Sequence, residues 1–89
     1  LYKLKISNFF ELNYIEEMYY LLDSYNHFLT NNIRFKSIVH NINFITLIKT
    51  IHSYRSTKTR PGRIEKQKLI EESNASEFHW WLKEKIEEL

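Results

Sequence analysis

The 89-residue chain predicts a mainly α-helical fold, a small bundle of three to four helices with room for a short two-stranded ribbon. Three observations carry this. Long stretches place apolar and aromatic residues three and four positions apart. Two capping-box spacings, Asn8 to Glu11 and Asn74 to Glu77, mark helix starts. The one Pro and the one Gly sit side by side as Pro61-Gly62, so one segment concentrates the strongest helix breakers. A chain this short buries only about 60–65% of its unfolded surface. The expected organisation is a single domain over 1–89, with a helix pair in 9–54, a basic loop in 55–63 and C-terminal helices in 64–89.

Tyr2-Lys3-Leu4-Lys5-Ile6 alternates apolar and charged residues, the period of a half-buried strand. Asn8 reads as the N-cap of a first helix over 9–29. Its apolar positions, from Leu12 and Ile15 to Phe28 and Leu29, cover roughly 200° of the helix surface. Thr30-Asn31-Asn32 stops it. Ile33-Arg34-Phe35-Lys36 alternates again and could pair with residues 2–6 as a ribbon; the simpler reading makes 33–54 a second helix. There the apolar stripe changes sides near Phe44, and the many β-branched residues keep a strand around 42–48 open. Ile64 to Glu72 reads as a short helix. A last helix runs from about residue 75, burying Phe78, Leu82, Ile86 and Leu89 and pointing Trp80 away from them.

Charge divides the chain. Residues 1–48 carry four basic and four acidic groups. Residues 49–68 carry seven basic groups and one acid, and residues 69–89 carry six acids and two bases. The basic block centres on Arg55, Lys58, Arg60, Arg63, Lys66 and Lys68, interleaved with Ser56, Thr57 and Thr59. Cationic side chains neutralise phosphates and release counterions, while hydroxyls add positioning contacts. These six residues are the expected nucleic-acid contacts, to DNA or RNA. An acidic protein surface is the competing partner, including the acidic C-terminal helix of this chain or of a neighbouring copy.

Residues 69–88 also have the outline of a helix–turn–helix reading unit. The missing turn glycine and the acidic outer face of the second helix weigh against it. Tyr19, Tyr25 and Trp80 are candidate protein-interface residues, because large aromatics on broad or polar faces recur at binding hot spots. A protein-interaction or assembly role, with self-association into an oligomer or docking as an inhibitor on a larger partner, is therefore the alternative function.

Catalysis is not expected. There is no Cys, so thiol chemistry, disulfides and Cys-ligated zinc are excluded. No two His are spaced i,i+3 or i,i+4, and no HExxH occurs. One glycine cannot build a Walker loop. No catalytic group, metal or cofactor is assigned. No run approaches the about 20 apolar residues of a membrane span. The chain opens on Leu1 rather than Met, which suggests a processed product or fragment, and no intact signal peptide is visible. The expected location is intracellular. Abundant Phe, Tyr, Ile, Asn and Lys with scarce Gly, Ala, Arg and Pro point to an AT-rich gene.

Overall fold

Lys3, Ile6, Ser7 and Phe10 fall at positions i, i+3, i+4 and i+7, and these are the buried side chains of a helix, α1 (Tyr2–Glu11). The alternation that suggested a strand is real but subordinate. The helical stripe is disguised because two of its four members are polar. Ser7 resolves its own burial by donating Oγ–H to the Leu4 carbonyl at 2.9 Å. Asn8 lies inside α1 and starts nothing. The computed structural model describes residues 2–31, 38–76 and 78–89, with the side chains of 38–41 left aside.

The single helix expected over 9–29 is interrupted at Asn13, whose φ of 61° is left-handed. Asn is among the few residues that tolerate this conformation. It forms a left-handed C-cap on α1: Asn13 N–H bonds the Phe10 carbonyl at 3.1 Å and Tyr14 N–H bonds the Phe9 carbonyl at 2.9 Å. The Phe9 and Tyr14 rings meet across the cap at 6.1 Å. The next helix, α2 (Ile15–Asn31), starts at once, with Glu16 and Glu17 in its first turn, where carboxylates favour the helix dipole. Met18, Leu22, Tyr25 and Leu29 are its buried stripe, and α1 packs against α2. Tyr2 stacks on Tyr25 at 4.9 Å and lies 5.8 Å from Phe28.

These two helices belong to one compact unit, Leu1–Ile38, and the remainder forms a second, Val39–Leu89. The expected helix pair in 9–54 therefore draws on both units. Residues 2–6 are helical, so they form no ribbon; their proposed partner, 33–36, lies outside the described residues.

In the second unit, α3 (Ile38–Thr57) is helical throughout, and the strand considered for 42–48 does not form. Phe44, Ile45, Leu47, Ile48 and Ile51 are buried at helical spacing, while Ile42 is exposed. Burying each such side chain is worth about 1.5–3 kcal/mol, which outweighs the few tenths lost to β-branching. Helix α4 (Arg63–Ser73) starts at the N-cap Gly62 and buries Leu69 and Ser73.

Asn74 is the C-cap of α4 rather than the N-cap of the last helix. Ser73 explains the extension: its hydroxyl, fully buried, bonds the Ile70 carbonyl at 2.6 Å and is satisfied inside the helix. Helix α5 (His79–Glu87) follows the left-handed N-cap Phe78, φ 60°, and packs against α4. It buries Trp81, Leu82, Lys85 and Ile86. Phe78 meets Phe44 edge-on at 6.3 Å. The described residues thus form five helices and no strand, where three to four helices were expected. Among them, no helix is long and apolar enough to cross a membrane.

Candidate nucleic-acid interface

The six expected contacts are distributed over one helix end, a connector and the next helix, all in the second unit. Arg55 occupies the last turn of α3. Lys58 follows as a left-handed residue, φ 55°. Its N–H bonds the Arg55 carbonyl at 3.3 Å, and the Thr59 N–H bonds the Tyr54 carbonyl at 3.1 Å. This is the same cap that closes α1, built here on a lysine. The chain then runs through Arg60 and Pro61 to Gly62, whose backbone is extended (ψ 167°). Arg63 opens α4, with Lys66 and Lys68 one turn further on.

Arg55, Lys58, Arg60, Arg63 and Lys68 are exposed. Among the described residues, no ion pair engages Lys58, Arg60, Arg63 or Lys68. Lys66 differs: it is half-buried and its Nζ donates to the Glu87 backbone carbonyl at 3.1 Å, tying α4 to the end of α5. Two acids at the end of α5 sit beside lysines of the same helical segment. Glu87 lies 3.9 Å from Lys83, and Glu88 lies 3.6 Å from Lys85. Lys85 also sits 5.9 Å from the centre of the Trp81 ring.

Beside the connector lies a groove of about 500 Å³, lined by Thr46, Lys49, Thr50, Ser53, Tyr54 and Thr59. Five of the six recur at helical spacing on α3, on the side opposite its buried stripe. Thr50 Oγ1 donates to the Thr46 carbonyl at 2.9 Å, and Thr57 Oγ1 lies 2.7 Å from Thr59 Oγ1. The Thr50 and Thr59 hydroxyls, both in the lining, keep acceptor capacity. The basic loop expected over 55–63 includes Thr59 but not the α3 face. Two signals mark that face: the 46, 49, 50, 53 spacing, and a sequence with no Asp or Glu between Asp23 and Glu65.

The three aromatic candidates have different fates. Trp80 is 64% exposed, beside Phe78 at a ring distance of 6.2 Å. Tyr25 is 7% exposed, stacked within the first unit. Tyr19 is half-buried, and loss of solvent pushes its phenol above the ordinary value of about 10. A second groove, of about 620 Å³, lies within the first unit; Phe9, Leu12, Tyr20 and Leu21 supply its apolar lining and Lys5, Glu16 and Glu17 its charges. Among the described residues, no group of three or more His, Cys, Asp or Glu is placed to hold a metal ion.

No protein-family model matches the chain, and neither a curated protein nor a solved structure matches it.

Proposed function

We propose that the second unit binds nucleic acid through its phosphates. The observation that carries this reading is the exposed cationic set Arg55, Lys58, Arg60, Arg63 and Lys68, gathered around one helix connector, with Glu87 and Glu88 next to Lys83 and Lys85. Arginine grips phosphate with a planar fork, and lysine acts as a mobile point charge. Lys66, anchored on Glu87, contributes mainly by holding α4 in place. Double charge reversal, Arg60→Glu with Arg63→Glu, lowers affinity for any oligonucleotide by at least about tenfold, on a scale of about 1.5–3 kcal/mol per charge-assisted hydrogen bond. A mobility shift with both proteins tests this. Equal binding by the double variant contradicts the proposal.

The groove on the first unit favours a second reading, a protein-interaction surface. Leu12 is 59% and Tyr20 72% exposed, and both line this groove between the described helices α1 and α2. An assembly subunit elutes as an oligomer in multi-angle light scattering, and Tyr20→Ser shifts it towards monomer. A strictly monomeric wild type counts against this reading.

A further inference from the structure

The hydroxyl-lined groove on α3 gives the phosphate-binding reading a sharper form, and the inference below rests on that reading. We infer that this groove takes one unstacked nucleotide of a single strand, with its base against the Tyr54 ring and its sugar and phosphate on Lys49, Thr46 and Ser53.

Four features support this ligand. The groove is open and about 500 Å³ in volume, room for one nucleotide to lie along it rather than be enclosed. The lining carries one cation and no acid, so its field favours an anion. The hydroxyls of Thr46, Ser53 and Tyr54 have no partner among the described residues, so they are available to sugar oxygens, phosphate oxygens and base edges. Tyr54 offers the groove's one aromatic surface, half-buried and held at the C-terminal cap of α3, where its carbonyl accepts the Thr59 N–H.

The groove is continuous with the cationic connector through Thr59, which is both a lining residue and the immediate neighbour of Lys58 and Arg60. A strand leaving the groove past Thr59 meets those two side chains next. Arg55 lies nine residues after Thr46, half a revolution of α3 beyond whole turns, and so faces away from the groove. A duplex presents phosphates to the connector equally well, but its bases are paired and stacked and cannot enter. The groove therefore confers a preference for single strands. Aromatic–base stacking accounts for this kind of preference elsewhere and is lost on removing the ring.

The test uses fluorescence anisotropy of the full chain with oligo(U), oligo(dT) and a mixed duplex, each about 12 nucleotides long. The expected result is single-strand binding at least about tenfold tighter than duplex binding. Tyr54→Leu then weakens single-strand binding by about 5- to 150-fold and duplex binding by less than about twofold. A preference for oligo(U) assigns the groove hydroxyls to the ribose 2′-OH; equal binding of the two single strands assigns them to phosphate and base. Independently of any variant, photocrosslinking wild-type protein to a 5-iodouridine oligonucleotide places the adduct on Tyr54. Equal affinity for single strand and duplex, or adducts confined to other residues, overturns the groove assignment while leaving the phosphate reading standing. Absence of binding to all three ligands overturns both.

Discussion

The Lys66 ammonium donates to the Glu87 backbone carbonyl at 3.1 Å, across the packed pair α4 and α5. Glu87 is the last residue of α5, so its carbonyl is one of those a helix leaves without an intrahelical partner. A cation there satisfies that group and meets the negative end of the helix dipole. The contact gives one of the basic residues a structural task. Lys66→Met therefore lowers stability by about 0.5–1.5 kcal/mol, the net worth of one such bond. It changes oligonucleotide affinity much less than reversal of Arg60 and Arg63 does. Urea unfolding followed by the fluorescence of Trp80 and Trp81, both in this unit, measures the first; anisotropy measures the second.

Lys58 holds a left-handed backbone, φ 55°, a conformation that costs an L-residue about 1–2 kcal/mol. Glycine adopts it freely but loses more entropy on folding. Lys58→Gly is therefore expected to raise stability by about 0.5–1 kcal/mol while reducing nucleic-acid affinity by removing one charge. Thermal unfolding and binding should move in opposite directions. A variant that loses both stability and binding contradicts the cap described here.

Phe44 is fully buried in α3 and meets the Phe78 ring edge-on. Phe44→Ala is expected to cost about 3–5 kcal/mol through lost burial and the cavity left behind. Because Phe78 starts α5 from a left-handed position, the loss should also loosen the start of that helix. Amide exchange at Trp81 and Leu82, whose N–H groups bond the Phe78 carbonyl at 3.0 Å, reports this directly.

Tyr19 adds a pH dependence to the first unit. Burial raises its folded pKa above the ordinary value of about 10, so folding favours the neutral phenol. The associated stability is complete below the unfolded pKa, about 10, and is lost as pH rises through the higher folded value. Urea unfolding followed by circular dichroism should show stability declining above about pH 10. Tyr19→Phe should make that decline smaller.

Much of the second unit was legible in sequence. The Leu82 and Ile86 stripe, the outward Trp80 and the basic connector follow from spacing and charge alone. What was missed has specific causes. The stripe of α1 passes through Lys3 and Ser7, so hydrophobic periodicity did not register it. Asn13 falls inside the helix expected over 9–29, although Asn is also a residue that ends one. Asn74 satisfied the spacing of an N-cap, but buried Ser73 keeps the preceding helix intact up to it. On the candidate site, the loop cations announced themselves as a charge block. The α3 hydroxyls did not, because Thr and Ser on a helix normally read as solvent-facing filler, and only their shared groove with Lys49 and Tyr54 distinguishes them.

The most direct test of phosphate binding is the salt dependence of affinity for a single-stranded oligonucleotide, taken from about 50 to 200 mM monovalent salt. Each phosphate neutralised on a single strand contributes about −0.7 to the slope of log K against log salt. The exposed cations around the connector predict a slope of about −2 to −4, shallower by about 1 to 1.5 in the Arg60→Glu, Arg63→Glu protein. Binding that is absent at the lowest salt, or a slope that the double reversal leaves unchanged, contradicts a phosphate contact at this connector.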